Sequence, residues 1–203
     1  MPRDLSPSRL EAFSDGVIAV IITIMVLELR VPSAQSMGNT AALHQDLKLV
    51  LIYLLSFVQT GIYWVNHHYL VGDVEQVSHG ILWANLIFLF TLSLIPFGTN
   101  WVGERGLTPF AVGLYSVTCV LPAITWIVLS TLICRRSGKP LAGSPAKQFA
   151  SAALYIGAIP VAYHSTSIAL AMIAVVAVLW LLPPRRILRE TRAASTAPPS
   201  HTR

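Results

Sequence analysis

The chain has 203 residues, of which 54% are hydrophobic and only 11% charged, with a formal net charge of +5 and a mean hydropathy of +0.64. Ordinary soluble domains carry roughly 25% charge, so this composition excludes a soluble enzyme, a disordered regulator and a disulfide-stapled secreted domain, and leaves an integral membrane protein. The basic residues gather at segment ends and form no amphipathic face, which argues against nucleic acid as a partner; Cys119 and Cys134 stand about four helical turns apart in one apolar stretch and imply neither a disulfide nor a metal site.

A membrane-crossing helix needs roughly 20 mostly apolar residues, and the sequence predicts six such spans, at about 13–30, 47–66, 81–101, 108–133, 149–164 and 167–183. Ser8-Arg9-Leu10-Glu11 fits a capping box, so the first helix is expected to begin near Arg9, with Ser8 as N-cap and Glu11 closing the box. It ends at Glu28 and Arg30, which are read as charges at the outer mouth. The second span ends in Tyr63-Trp64-Val65-Asn66-His67-His68, and the third opens with Trp83 and Asn85 in its first turns. Pro96, Pro122 and Pro160 are read as kinks that neighbouring helices tolerate. His164-Ser165-Thr166-Ser167 separates the last two spans as a tight turn. The fold expected is all-α, one six-helix membrane domain over residues 1–183. A basic tail at 184–203, rich in Ser, Thr, Ala and Pro, is expected to be disordered.

With six spans both termini share one side. That side collects all the Lys and Arg except Arg30, Lys48 and Arg105, eleven of fourteen. Cationic segments resist translocation, so this side is expected to be cytoplasmic, in the cell membrane.

The first span carries the most unusual pattern. At about 100° per residue, Val20, Ile24 and Leu27 make one apolar stripe two turns long, with Thr23 at its edge. Ser14 and Asp15 fall on the far side, about 120° and 140° away, and Ile18 and Ile22 lie opposite the stripe. A carboxylate buried near the membrane needs partners. Arg9, Ser14, Asp15, Trp64, His67, His68 and Asn85 share one depth, and an Asp15 bonded to a histidine and to Asn85, with Arg9 nearby, would satisfy its lone pairs. Asp15 reads as a structural anchor, with a proton carrier as the alternative. His67 and His68 are adjacent, so they point about 100° apart on a helix and form no obvious metal or haem site.

Arg9-x-x-x-Phe13-Ser14-Asp15-Gly16 at the start of the first span resembles the signature of the transmembrane protein 175 family, the endolysosomal potassium channels and their prokaryotic relatives. The resemblance continues in Tyr63-Trp64-x-x-His67-His68, in Asn85-Leu86-x-Phe88-Leu89 and in Leu94-Ile95-Pro96-Phe97. It implies a channel without a re-entrant pore loop, in which single-repeat prokaryotic members assemble as tetramers and the first helix of each subunit lines the pore. The family's constriction falls on Val20, Ile24 and Leu27, and its filter threonine on Thr23; Val20 is smaller than the residue usual there. The functional expectation is a homotetrameric cation channel in the lipid bilayer, conducting potassium among monovalent cations with modest selectivity over sodium. The chain performs no chemistry, takes no cofactor or metal and binds no nucleic acid. The alternatives are a proton-coupled secondary transporter using Asp15, His67 and His68, for which no inverted repeat or broken helix is visible in the sequence, and a membrane enzyme or haem protein built on His67, His68 and His79.

Overall fold

The computed structural model describes residues 6–27, 39–72, 74, 76–138 and 144–181. Glu28, read as the outer mouth, and the tail at 184–203 lie outside the described residues. The described residues form seven helices: α1 (Pro7–Leu27), α2 (Asn39–Gly72), α3 (His79–Leu92), α4 (Ile95–Arg105), α5 (Pro109–Ser137), α6 (Pro145–Ala162) and α7 (Thr166–Leu181).

Helix α1 starts earlier than the capping box predicts. Pro7 occupies the first helical position, where a fixed φ helps and a missing N–H costs nothing, and the Ser6 carbonyl accepts from the amides of Arg9 (3.0 Å) and Leu10 (3.4 Å). Ser8 therefore lies in the first turn, its hydroxyl 3.0 Å from that of Ser6. Glu11, freed from a capping role, turns to His68 of α2, with 2.8 Å between Oε1 and Nδ1. Helix α2 runs to Gly72, so His67 and His68 sit inside it with a turn of helix beyond them.

The third span is not one helix. A proline has no N–H for the carbonyl four residues back, and its ring clashes with that carbonyl. Pro96 thus ends α3 at Leu92, and the chain resumes as α4 at Ile95. The exposed helix end is repaired locally: Ser93 donates its amide to the Leu89 carbonyl (3.0 Å) and its hydroxyl to the Phe90 carbonyl (2.7 Å), and Leu94 donates to the Thr91 carbonyl (3.2 Å). Pro122 and Pro160, by contrast, remain inside α5 and α6, as the reading of tolerated kinks requires. A broken helix that the sequence did not reveal is therefore present at Ser93–Leu94.

Four segments are long and apolar enough to cross a membrane: Pro7–Leu27, Leu47–Gly72, His79–Arg105, which joins α3 to α4, and Pro109–Ser137. Helices α6 and α7 occupy the places of the fifth and sixth spans and are shorter, at 18 and 16 residues. They meet at the expected tight turn, where the Ser165 carbonyl accepts from Ala169 (3.1 Å) and its hydroxyl from Ile168 (3.4 Å).

Helix α5 runs through two cores. On one side Ile18 and Met25 of α1, Phe88 and Leu92 of α3 and Trp126, Leu129 and Ile133 of α5 pack together. On the other, Ile52 of α2, Val102 of α4, Tyr115 and Cys119 of α5, Tyr155 of α6 and Ile173 of α7 do so. The approach of α4 to α5 depends on Gly98, where a Cβ would collide with the Thr118 side chain. The outer surface is studded with exposed aliphatic and aromatic residues such as Leu51, Leu54, Phe90 and Val178, which suits a lipid environment.

Candidate pore face and its polar support

Helix α1 divides into two faces. Ile18 and Met25 are 0% exposed and Ile21 4%, sealed against the first core. Val20, Ile24 and Leu27 are 54%, 43% and 75% exposed, and Thr23 is exposed beside them. Ile22 is partly buried against the same core as Ile18. The stripe read from helical spacing therefore turns away from the protomer, and the residues read as opposite to it turn inward. The Thr23 hydroxyl spends its proton within its own helix, reaching the Ala19 and Val20 carbonyls, both at 3.0 Å. Its oxygen lone pairs remain available as acceptors.

Beside the stripe lies an apolar groove of about 520 Å³, bordered by Ala12, Phe13, Gly16, Val20 and Ile24 of α1 and by Ser93 and Pro96 at the α3–α4 break. The small residues Ala12 and Gly16 leave room for another helix to approach closely.

The polar cluster differs from the expected one in its pairing. Ser14, not Asp15, reaches Asn85. The Ser14 hydroxyl donates to the Leu10 carbonyl (2.8 Å), Asn85 Nδ2 donates to Ser14 Oγ (2.9 Å), and the remaining Asn85 oxygen faces His67 Nε2 at 2.8 Å. Because the amide nitrogen is committed to Ser14, Asn85 Oδ1 is the acceptor and His67 Nε2–H the donor. Ser14, His67 and Asn85 are all 0% exposed, and His67 also stacks on Phe88, with centroids 5.9 Å apart. Asp15 sits one residue round the helix, half-buried, where its Oδ1 accepts from Trp64 Nε1 at 2.9 Å. Its partner is thus an indole and not the expected histidine and asparagine, because 100° of helical rotation separates it from Ser14.

Three helices therefore bring together Ser14, His67 and Asn85 in the interior, and Asp15, Trp64 and His68 at the half-exposed rim, where Glu11 joins them. Arg9 and Phe13 belong to neither group. Both are exposed and border a groove shared with His79, Leu82 and Trp83 of α3. The three histidines of the haem or enzyme reading point to different places: His67 to Asn85, His68 to Glu11, and His79 to the Trp83 indole at 2.9 Å.

A second polar set was not singled out from the sequence. Ser56 of α2 is hydrogen-bonded to Thr99 of α4 (2.7 Å) and Tyr115 of α5 (2.8 Å), and Gln59 of α2 donates to Tyr155 of α6 (2.9 Å) while the Cys119 thiol approaches its Oε1 (3.7 Å). Their signal was present: Ser56, Gln59 and Thr60 are polar residues three and four apart in an otherwise apolar span, the usual mark of helix-to-helix hydrogen bonding in a membrane. Below Gln59 a small cavity of about 30 Å³, bordered by Tyr63, Gln148, Ser151 and Trp180, has room for water.

A family model described as endosomal/lysosomal potassium channel TMEM175 matches residues 9–96, the stretch from Arg9 to the helix break. A potassium channel of a Chryseobacterium species is 41% identical over 193 residues, covering 93% of this chain and 99% of the relative. The human endosomal/lysosomal proton channel TMEM175 is 31% identical over 101 residues, covering 45% of this chain and 20% of the human protein. The crystal structure of a lysosomal potassium-selective channel TMEM175 homolog from Chamaesiphon minutus superposes with a TM-score of 0.70 at 25% identity, over 86% of this chain and 96% of that one.

Proposed function

Since the chain belongs to the TMEM175 family of membrane channels, we propose that it forms a homotetrameric cation channel that conducts potassium with modest selectivity over sodium. The pore in this reading lies between subunits and is lined by α1. The observation that carries it is the split of one helix into a sealed face, with Ile18 and Met25 at 0% exposure, and an outward face in which Val20, Ile24 and Leu27 are 43–75% exposed. One helix supplies one wall, so a continuous pore requires several copies around an axis. The groove beside the stripe, with Ala12 and Gly16 on its floor, suits the approach of a neighbouring copy.

Four copies of Val20, Ile24 and Leu27 make a narrow apolar neck. Such a neck repels a hydrated ion, so it gates by dewetting and discriminates by width. Thr23, whose hydroxyl proton is held by its own helix, offers an uncharged oxygen to a partly dehydrated cation. Asp15 acts as an anchor through Trp64 and not as a carrier in the conduction path. Glu28 concentrates cations at the outer mouth. The side that holds both termini and eleven of the fourteen Lys and Arg is cytoplasmic.

The test is twofold. The mass of the purified particle, corrected for detergent, should equal four chains. Liposome-reconstituted protein should give reversal potentials that follow the potassium gradient more closely than the sodium gradient. A one-chain particle, or a flux that saturates and couples to protons, would sink the channel reading in favour of a transporter.

A further inference from the structure

We propose that Glu11 and Asp15 of α1 and His68 of α2 form a binding site for a divalent transition-metal ion of the zinc class, tying the start of α1 to the end of α2. A carboxylate oxygen from each acid and one imidazole nitrogen all lie within 4.8 Å of one another. In a tetrahedral shell, metal–ligand bonds of about 2.0–2.2 Å place ligand atoms roughly 3.3–3.6 Å apart, so side-chain rotations that move the ligand atoms by about an ångström close the shell. Glu11 Oε1 and His68 Nδ1 already stand 2.8 Å apart.

Two features beyond proximity point to a cation. Glu11 and Asp15 are four residues apart on one helix face, where like charges repel, yet they share one imidazole and one indole N–H. Among the described residues no Lys or Arg forms an ion pair with either. Trp64 positions two of the three ligands at once. Its Nε1 holds Asp15 Oδ1 at 2.9 Å, and its ring stacks on that of His68 with centroids 6.4 Å apart and planes 29° apart. A hydrogen bond to a ligating carboxylate is the outer-shell support that metal sites use to fix their ligands. His68 is 54% exposed, which leaves room for water to complete the coordination. An imidazole beside two carboxylates favours zinc, cobalt or nickel over magnesium and calcium, which prefer all-oxygen shells. His67 takes no part, because its Nε2 is committed to Asn85 in the interior.

The experiment is calorimetric titration of zinc into the full chain, purified in detergent after chelator treatment, with thermal unfolding followed in parallel. The expected result is saturable binding of one zinc per chain and a rise in Tm that magnesium at equal concentration does not reproduce. Glu11→Gln, a near-isosteric change at a half-buried rim, should weaken binding at least tenfold, and His68→Ala at least as much. His79→Ala, which removes an exposed histidine outside the site, should leave binding unchanged. Absence of saturable binding to the wild-type chain, affinity retained in Glu11→Gln, or equal loss in His79→Ala would overturn the proposal.

Discussion

The Ser14–Asn85–His67 chain gives the sharpest test of how the helices are held. Replacing Asn85 with Leu keeps the number and branching of side-chain heavy atoms in a fully buried position and removes both hydrogen bonds, of 2.9 Å to Ser14 and 2.8 Å to His67. The two partners suffer unequally. Ser14 loses only a donor to its oxygen, and its own proton still reaches the Leu10 carbonyl. His67 loses the only hydrogen-bond partner of its ring, since its Nδ1 has none. A buried donor left unpaired costs about 1–3 kcal/mol, and for a chain of this length each kcal/mol lowers Tm by about 2–4 °C. Asn85→Leu should therefore lower Tm by about 4–8 °C, taking about 2 kcal/mol as the central value. Asp15→Ala strips Trp64, which is 43% exposed and can turn its N–H to water, so its cost should stay below about 1 kcal/mol. The combination Asn85→Leu with His67→Phe removes donor and acceptor together and should be more stable than the sum of the two single changes. The assay is thermal unfolding in detergent by tryptophan fluorescence, with particle size checked by gel filtration. An Asp15→Ala loss equal to that of Asn85→Leu, or strict additivity in the double variant, would refute this account of the cluster.

Four further outcomes are expected. Val20→Ala or Ile24→Ala should raise single-channel conductance and admit sodium more freely, because each change widens the proposed neck four times over. Thr23→Ala should lower the potassium-to-sodium permeability ratio while Thr23→Ser preserves it; reversal potentials in liposomes read both. Ile18→Ala, in a fully buried position, should destabilise by about 2–5 kcal/mol and leave reversal potentials unchanged, whereas ion preference that follows Ile18 and ignores Ile24 would place the pore elsewhere. Gly98→Ala drives a Cβ into Thr118 on α5, a β-branched side chain that is itself buried, and should cost about 1–3 kcal/mol in thermal stability.

The sequence by itself determined the membrane class, the helix-rich fold, the tight turn between α6 and α7 and the family, because hydrophobic run length and the Arg9-to-Gly16 block are local in the chain. It also set the two faces of α1. A period of 3.6 residues fixes which side chains share a side, and Val20, Ile24 and Leu27 turn outward together while Ile18 turns inward. What it left open was which polar groups meet. Ser14 and Asp15 are neighbours in sequence and share nearly one depth, and only the rotation of α1 against α2 and α3 sends Ser14 to Asn85 and Asp15 to Trp64. The same holds for Glu11, which reads as a cap in sequence and becomes the partner of His68 once Pro7 has taken the helix start. The break at Pro96 was a matter of degree: a proline inside a span is a kink where the neighbouring turns hold the helix together, as at Pro122 and Pro160, and a break where Ser93 and Leu94 close the preceding helix on the Leu89, Phe90 and Thr91 carbonyls. Periodicity places a residue on a face, and packing between helices decides what that face meets.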